Sequence, residues 1–196
     1  MRRRRTTPLA RHNMERALRQ HESLLVGTVG LNAGAAYGAY TDLLRCDTTI
    51  VLDLLQRPGV DLQGDLHCLP LRSESADVVL LTEVLEHLRQ PWNALRECHR
   101  VLRPGGIVLI TTRFMYPFHA EPHDYYRYTD EGLRELLSEF ESVTTVPLGN
   151  RAHVLWTAIS EVRGVRRVLR RCNPLIARLQ VRQTRWADGY LAVGRR

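Results

Sequence analysis

The stretch Ala76–Thr112, ADVVLLTEVLEHLRQPWNALRECHRVLRPGGIVLITT, decides the fold of this chain. Residues 77–81 form an apolar run that is too short for a helix, so they predict a strand. Apolar residues then recur at helical spacing between polar ones, which predicts an amphipathic helix with Trp92, Leu95, Cys98, Val101 and Leu102 on one side. Pro91 suits the first turn of this helix, and Pro104-Gly105-Gly106 ends it. Residues 107–110 predict the next buried strand.

Two apolar strands joined by an amphipathic helix form a right-handed βαβ unit. This unit predicts a parallel sheet that is covered on both faces. Ligands of such sheets bind beyond the carboxyl ends of the strands. We therefore expect functional residues at Thr82, Glu83 and His87 and just after Thr112.

The rest of the chain continues the alternation of helices and strands. Helices are predicted at residues 10–25, from a small-residue turn to near Arg45, after an N-cap at Thr129, and at 152–185 with a break at Asn173-Pro174. Further strands are predicted at residues 27–32, 48–53, 59–63, 142–146 and 189–194. The pattern predicts an α/β fold, a Rossmann-like, open and mostly parallel sheet of seven strands with helices on both faces.

Length and composition predict one domain. We expect residues 1–8 to form a disordered basic arm and 9–196 a single domain, with a helical insertion at about 151–186 before the last strand. No apolar run is long enough to span a membrane, and no apolar segment follows the basic N-terminus, which favours a cytoplasmic protein. The four cysteines lack paired spacing and are interpreted as reduced, mostly core residues.

The net charge of +7 comes entirely from arginine, since the chain has no lysine. Such a charge could attract nucleic acid, anionic lipid or an acidic substrate. Solvated helix faces are the favoured explanation, because no nucleic-acid motif with interleaved aromatic residues is present. We expect a small-molecule substrate and no specific nucleic acid. For the arginine-rich insertion, a homodimer surface, a lid and a membrane-surface helix remain alternatives to ordinary packing.

Three features fall at the carboxyl ends of successive predicted strands. The turn Asn32-Ala33-Gly34-Ala35-Ala36 has small side chains, so backbone N–H groups could approach a ligand at a helix N-terminus. Asp53 follows about 20 residues later, which suits a carboxylate that binds ribose hydroxyls. Asp65-Leu66 could offer a carboxylate and an N–H to an adenine. The alternatives are ordinary packing for the turn, a helix cap for Asp53 and an Asx-turn for Asp65.

These stretches together resemble the class I S-adenosylmethionine-dependent methyltransferases, and most closely their small-molecule branch. The resemblance covers roughly residues 29–137 and is carried by LNAGAAYG, VLDL, GDLHCLPL, SADVVLLTEVLEHL and RVLRPGGIVLITT. It implies S-adenosylmethionine as the cofactor. The implied cofactor-binding residues are Asn32, Ala33, Gly34 and Ala36 for the methionine part, Asp53 for the ribose, Asp65 and Leu66 for the adenine, and Thr82 and Glu83 facing cofactor and substrate. Ala36 stands where the family usually has a glycine.

The acceptor side is predicted in the loop after the fifth strand, HAEPHDYYRY at residues 119–128. A histidine oriented by a carboxylate can take a proton from a hydroxyl as it attacks the methyl group. His119 or His123 is the candidate base, with Asp124 or Glu121 as its partner. Glu86 and His87 are second candidates, and the loop tyrosines could wall the acceptor pocket: Tyr125, Tyr126 and Tyr128.

Other readings of these residues stay open. The loop could be a structural lid whose histidines bond only the backbone, and Glu86-His87 could simply begin a helix. A metal held by His119, Glu121, His123 and Asp124 is disfavoured, because their spacing matches no zinc template, so no metal is predicted.

The predicted function is S-adenosylmethionine-dependent methyl transfer to a small-molecule or sugar-containing metabolite. O-methylation is favoured over other targets because a histidine base is at hand. The alternative is a non-catalytic or repurposed homologue that binds a ligand or partner.

Overall fold

The computed structural model describes residues 8–119, 123–160, 169–179 and 186–196. The strands are β1 Val26–Ala33, β2 Arg45–Asp53, β3 Leu62–Gln63, β4 Ala76–Thr82, β5 Leu102–Arg113, β6 Ser142–Leu148 and β7 Gly189–Arg195. The α-helices are α1 Leu9–Gln20, α2 Pro91–Val101, α3 Asp130–Leu136, α4 Arg151–Ser160 and α5 Asn173–Ile176. Short 3₁₀ helices cover Glu22–Leu24, Thr41–Leu43, Leu85–His87 and Arg170–Cys172.

The seven strands form one sheet in the order β3-β2-β1-β4-β5-β7-β6. The pairs from β3 to β5 are parallel, whereas β7 runs antiparallel between β5 and β6. The predicted unit of two parallel strands joined by a helix is confirmed as β4-α2-β5. The carboxyl ends of β1, β2, β4 and β5 therefore lie along one edge of the sheet.

The sheet is covered on both faces, as its continuous apolar strands predict. Val79 and Leu81 of β4 pack in one core with residues of α2 and α3. Val78 and Leu80, which alternate with them, pack in a second core with Met14 and other residues of α1. The period of two along β4 thus places neighbouring side chains in opposite layers.

The helix predicted between the small-residue turn and Arg45 is absent, and this expectation was wrong. Four residues in this segment have positive φ angles: Gly34 at 70°, Ala36 at 38°, Gly38 at 71° and Tyr40 at 65°. A right-handed helix excludes that backbone region, so the segment forms turns and a single 3₁₀ turn before β2. The turn after β1 consequently offers single N–H groups and no helix dipole.

Several smaller expectations are also corrected. Trp92 was placed on the core side of α2 but is exposed, whereas Ala94, Leu95 and Cys98 face the core. The described cysteines are free, but only Cys98 is buried, and two of the four are exposed. The third strand is reduced to Leu62–Gln63 because Asp61 turns its carboxylate back to the N–H of Val51, 2.9 Å away.

Beyond β5, the predicted N-cap at Thr129 and the predicted last strand are both present. Thr129 caps α3 by accepting a hydrogen bond from the N–H of Gly132, 3.0 Å away. The basic arm and much of the arginine-rich insertion, residues 1–7, 161–168 and 180–185, lie outside the described residues. Within the described ranges, no helix combines the length and apolar character that crossing a bilayer requires.

Candidate functional site

The turn after β1 is bound to the end of β2 by backbone hydrogen bonds. The N–H of Gly34 donates to the carbonyl of Leu52 at 2.8 Å. The N–H of Ala36 donates to Oδ2 of Asp53 at 2.9 Å, and the N–H of Leu55 donates to Oδ1 at 3.0 Å. Asp53 is therefore at the predicted place beside the turn, but each of its oxygens already accepts one N–H.

Gly34 is required by the local geometry. Its φ of 70° favours glycine, and a Cβ there would lie 2.7 Å from a methyl carbon of Val84, which follows β4. The first turn after β1 and the segment after β4 thus touch each other at the sheet edge.

Asn32, near the end of β1, stabilises the segment that follows the turn at Gly34. Its side chain is fully buried, and its Nδ2 donates to the carbonyl of Ala39 at 2.9 Å and to Oγ1 of Thr41 at 2.8 Å. Its Oδ1 is buried and accepts no hydrogen bond within the described part of the chain. The side chain supports the loop, and only this oxygen remains available to a ligand.

Asp65 and Leu66 lie directly beyond Asp53, since the N–H of Gly64 donates to the Asp53 carbonyl at 3.0 Å. Oδ1 of Asp65 accepts from the N–H and the ring Nδ1 of His67, at 2.9 and 2.7 Å. Burial acts to raise the pKa of Asp65, but the hydrogen bonds and charge of His67 outweigh it and lower the pKa. This is the Asx-type turn that the sequence left as the alternative, and the Leu66 side chain points into the core.

Glu83 and Arg113 connect the ends of β4 and β5. Glu83 has a φ of 56°, a strained conformation for a residue with a side chain, and its carboxylate accepts from Nη2 of Arg113 at 2.6 Å. The Arg113 side chain is almost fully buried and lies over the ring of Tyr116, 4.3 Å from its centroid. Thr82 ends β4 half-buried beside this pair.

Asp188 is a buried carboxyl near Arg113 and lies directly before β7. Its Oδ2 accepts from Nδ2 of Asn13 at 2.7 Å, and its Oδ1 has no hydrogen-bond partner among the described residues. Burial raises the pKa of Asp188 to about 7, against the opposing effects of Asn13 and the Arg113 charge.

Glu86, in the short segment that follows β4, is a fully enclosed acidic residue. Its side chain has no exposed surface, and its Oε2 accepts from the hydroxyl of Thr112 at 2.8 Å. Burial, followed by the charge of Glu83, raises the pKa of Glu86 to about 7. Its Oε1 is buried without a hydrogen-bond partner in the described ranges and lies 3.8 Å from Nε2 of His119.

His87 and His119 meet edge to face, with ring centroids 5.0 Å apart. Nδ1 of His87 bonds the carbonyl of His123, whereas the buried Nε2 of His119 has no hydrogen-bond partner within the described residues. Burial, and then the charge of His87, lowers the pKa of His119 to about 4. His119 is therefore neutral at pH 7.

The carboxylate opposite the His119 ring is Glu86 and not Asp124, which the sequence suggested. Asp124 forms a two-oxygen ion pair with Arg127, and its Oδ2 also accepts from the backbone N–H of His119 at 2.9 Å. Asp124 thus fixes the backbone that carries His119. His123 contributes its carbonyl, while its exposed ring packs against Tyr125; Glu121 lies outside the described residues.

Two of the three loop tyrosines are structural. The hydroxyl of Tyr128 donates to the carbonyl of Leu85 at 2.9 Å, and that of Tyr126 donates to the carbonyl of Arg89 at 3.0 Å. The N–H of Tyr125 donates to the Glu86 carbonyl at 2.8 Å. The loop after β5 is thereby tied to the segment after β4, and only the Tyr125 ring is exposed.

The comparisons with known proteins agree with this geometry. Residues 31–110 match the family model described as a methyltransferase domain. A probable S-adenosylmethionine-dependent methyltransferase of Mycobacterium tuberculosis is 37% identical over 94 residues, which cover 42% of this chain and 34% of that protein. Residues 31–110 of this chain are thus similar to the methyltransferase domain of S-adenosylmethionine-dependent enzymes.

Solved methyltransferase structures share the whole fold. One from Archaeoglobus fulgidus, titled a SAM-dependent methyltransferase, superposes with a TM-score of 0.66 at 15% identity, covering 95% of this chain and 94% of that one. The [4+2]-cyclase SpnF has a TM-score of 0.60 at 17% identity, covering 95% of this chain and 80% of its own. The chain matches about a third or less of the length of the first curated relatives.

The methyltransferase family uses S-adenosylmethionine, and the residues at the sheet edge fit this cofactor. The turn at Gly34, Asp53 and the Asp65 loop follow one another along the carboxyl ends of adjoining strands. Two buried acceptors there, Oδ1 of Asn32 and Oε1 of Glu83, have no hydrogen-bond partner within the described ranges. A ligand carrying an ammonium group and ribose hydroxyls supplies the donors that such oxygens require.

Sequence reasoning missed Thr112 and Arg127, and it pointed to the segment just after Thr112 without naming Arg113. Thr112, Arg113 and Arg127 position Glu86, Glu83 and Asp124, respectively. Thr112 and Arg113 could have been found, because polar residues that end a buried apolar strand at the ligand edge are unusual. Arg127 carried no such signal, since arginine is common throughout this chain.

Proposed function

We propose that this protein transfers a methyl group from S-adenosylmethionine to the hydroxyl of a small-molecule acceptor. The observation that carries the proposal is the buried Glu86–His119 pair, beside the strand ends where the family binds the methyl donor. Its buried atoms Oε1 and Nε2 have no hydrogen-bond partner in the described part of the chain, so a proton taken up by the partly exposed His119 ring can pass to Glu86.

S-adenosylmethionine, when bound, supplies a methyl group made electrophilic by the sulfonium sulfur. The acceptor oxygen forms a bond to the methyl carbon as the carbon–sulfur bond breaks, and that bonding pair stays on sulfur. The residues of this chain therefore have to orient the acceptor and remove one proton.

Glu86 and His119 can together remove that proton. A carboxyl with a pKa of about 7 is matched to proton transfer near neutral pH, whereas His119, with a pKa of about 4, is a weak base by itself. Glu86 has no exposed surface, so the proton reaches Oε1 through the partly exposed His119 ring. Asp124 and Thr112 hold the two groups in place.

The cofactor would lie against the turn from Asn32 to Ala36, with Asp53 and Asp65 beside it. Arg113 and Glu83 would stand between cofactor and acceptor, where their ion pair closes the gap between β4 and β5. Exposed Tyr125 is the aromatic residue placed to cover an acceptor. The acceptor is a small molecule or a sugar-containing metabolite, because a ligand with hydroxyl groups suits the polar side chains of Glu86 and His119.

The experiment measures S-adenosylhomocysteine binding by calorimetry and transfer of a labelled methyl group to a panel of hydroxylated small molecules. We expect binding and at least one methylated product. Glu86→Gln should lower turnover by about 10²–10⁴-fold with little change in S-adenosylhomocysteine affinity. His12→Gln, an exposed position on α1, is the matched control. Binding without loss of turnover in Glu86→Gln would remove this pair from the mechanism.

A second candidate is ligand binding without methyl transfer. It is favoured by the two backbone N–H groups that already occupy Asp53, and by the fold shared with a cyclase. Absence of S-adenosylhomocysteine binding by the folded protein would support this candidate.

A further inference from the structure

We propose that Glu86, His87 and His119 bind a divalent transition-metal ion of the zinc type. One ligand atom from each side chain lies within 4.8 Å of the others. Two imidazoles and one carboxylate are the donor set that zinc and its neighbours in the first transition row prefer, whereas Mg²⁺ and Ca²⁺ take oxygen ligands. Three protein ligands leave a coordination position open for a water or a substrate oxygen.

Each of the three side chains is already held through its other polar atom or its backbone. Oε2 of Glu86 accepts from the Thr112 hydroxyl, so Oε1 is left for an ion. Nδ1 of His87 bonds the His123 carbonyl, which leaves Nε2 as the ligand nitrogen. Partners of this kind fix the ring tautomer and orientation of metal-binding histidines.

His119 is held from its backbone and not from its ring. Its N–H donates to Asp124, which Arg127 holds in turn, and its Nε2 is buried without a partner in the described ranges. A second buried atom without a partner, Oε1 of Glu86, lies 3.8 Å away. These two atoms face each other with no hydrogen-bond partner in the described ranges, and a cation between them would be coordinated by both.

The spacing requires only a small closure. Zinc–nitrogen and zinc–oxygen bonds of about 2.0–2.1 Å in a tetrahedron separate neighbouring ligand atoms by about 3.4 Å. The Glu86–His119 separation of 3.8 Å is already close to this value, and the three ligand atoms all lie within 4.8 Å of one another. Small side-chain adjustments of at most about 1.4 Å between ligand atoms therefore complete the site.

Such an ion would change how the acceptor hydroxyl loses its proton. This consequence rests on the proposed function. With Nε2 of His119 and Oε1 of Glu86 as ligands, these atoms no longer accept the proton. An acceptor hydroxyl at the open position loses its proton to solvent instead, because a bound divalent cation lowers the pKa of a coordinated oxygen. The metal site itself depends only on the geometry of the three side chains.

The test titrates Zn²⁺ into the untagged full chain by calorimetry, after removal of metal with a chelator. We expect saturable binding of one ion per chain. Glu86→Gln, which keeps an oxygen for Thr112, and His119→Gln should each weaken binding by at least about tenfold. His12→Gln should bind as the wild type does. No saturable binding, or affinities unchanged in both site variants, would overturn the proposal.

Two further measurements separate site loss from misfolding and from failure of the proposed function. Co²⁺ added to the metal-free wild type should give a visible absorption band that His119→Gln lacks, while its thermal melting stays that of the metal-free wild type. S-adenosylhomocysteine is then titrated into the metal-free and zinc-loaded chains. Zinc binding without cofactor-product binding supports the metal site and rejects methyl transfer, and the opposite result rejects the metal site alone.

Discussion

The two halves of the sheet edge give their carboxyl groups different surroundings. In the cofactor half, which comprises the ends of β1 to β3, Asp53 and Asp65 accept backbone N–H groups, and the pKa of Asp65 is lowered. In the acceptor half, which comprises the ends of β4, β5 and β7, burial raises the pKa of both Glu86 and Asp188 to about 7.

The difference comes from what surrounds each carboxyl. In the cofactor half, His67 donates hydrogen bonds to Asp65 from its backbone N–H and its ring, and these stabilise the ionised form of Asp65. In the acceptor half, the loop after β5 covers Glu86, so water is excluded and the neutral form is favoured. The pKa of a carboxyl at this edge thus depends on what covers it and not on its position in the motif.

The largest effect that tests this comparison is expected from Asp188→Asn. The pKa of Asp188 is about 7 in the folded protein and about 3.9 in an unfolded chain, so the native state holds the proton more tightly between these values. The free energy of unfolding therefore falls as pH rises from about 4 to 7, by on the order of 4 kcal/mol from this group. Asparagine removes that fall and still accepts the hydrogen bond from Asn13.

Urea denaturation of wild type and Asp188→Asn from pH 4 to 8 checks this slope. Asp47→Asn, an exposed aspartate at the opposite end of β2, is the control and should run parallel to the wild type. If Asp188→Asn also runs parallel to the wild type, this carboxyl is ionised like Asp65 of the cofactor half, and the comparison fails.

A smaller effect is expected from Asp124→Ala, which breaks the ion pair holding the loop of the acceptor half. Arg127 lowers the pKa of Asp124, so its stabilisation is present above the unfolded pKa of about 3.9 and is lost as pH falls below it. We expect a loss of about 2 kcal/mol at pH 7, because the Asp124 side chain is enclosed while Arg127 is partly exposed. The difference from wild type should shrink at pH 3.

The surface pair Arg45–Glu22, 3.0 Å apart, provides the reference for Asp124. Glu22→Ala should change the free energy of unfolding by less than about 0.5 kcal/mol. Equal losses in the two variants would show that the loop ion pair is an ordinary surface pair.

In the cofactor half, Asp53→Ala should weaken S-adenosylhomocysteine binding by about 1–3 kcal/mol, as for a lost charged hydrogen bond. Calorimetry measures the affinity, and a thermal melt shows whether loss of the Ala36 and Leu55 hydrogen bonds has unfolded the turn. Asp47→Ala is the control on the same strand. Wild-type affinity in Asp53→Ala would mean that Asp53 only fastens the turn.

The smallest effect is expected at Trp92, which belongs to neither half. Trp92→Gln should change the free energy of unfolding by less than about 1 kcal/mol, because the ring is largely exposed. Leu95→Ala, one turn further along α2 and buried, should cost about 2–4 kcal/mol. Equal costs in urea denaturation would place Trp92 in the core that the helical spacing predicted.

The sheet could be predicted because its central strands are short apolar runs. Strands of this kind are buried on both faces, so helices must cover each side of the sheet. β4, α2 and β5 follow from such runs and from a helical spacing between them. The segment after Gly34 could not be predicted in the same way. Ala35, Ala36 and Ala39 favour a helix, whereas contacts with β2 and with Val84 impose positive φ angles.

The site was predicted to the level of segments but not of atom pairs. The sequence located Glu86, His87 and His119 near the ends of β4 and β5, because strand ends carry ligands in this type of sheet. It paired His119 with Asp124, its neighbour in the loop, because separations along the chain are the only distances a sequence provides. The pairing with Glu86 depends on how the loop folds over β4, which Tyr126 and Tyr128 determine through their hydroxyls.

The position of β7 between β5 and β6 has a consequence for how the chain acquires its structure. β6 borders β7 alone in the strand order, so residues 142–148 have no place in the sheet until residues 189–195 have arrived. During synthesis, β1 to β5 can assemble on the ribosome while β6 waits as an unpaired segment. A chain stalled before β7 therefore exposes an unpaired strand, and chaperones would be expected to bind this segment until β7 has been synthesised.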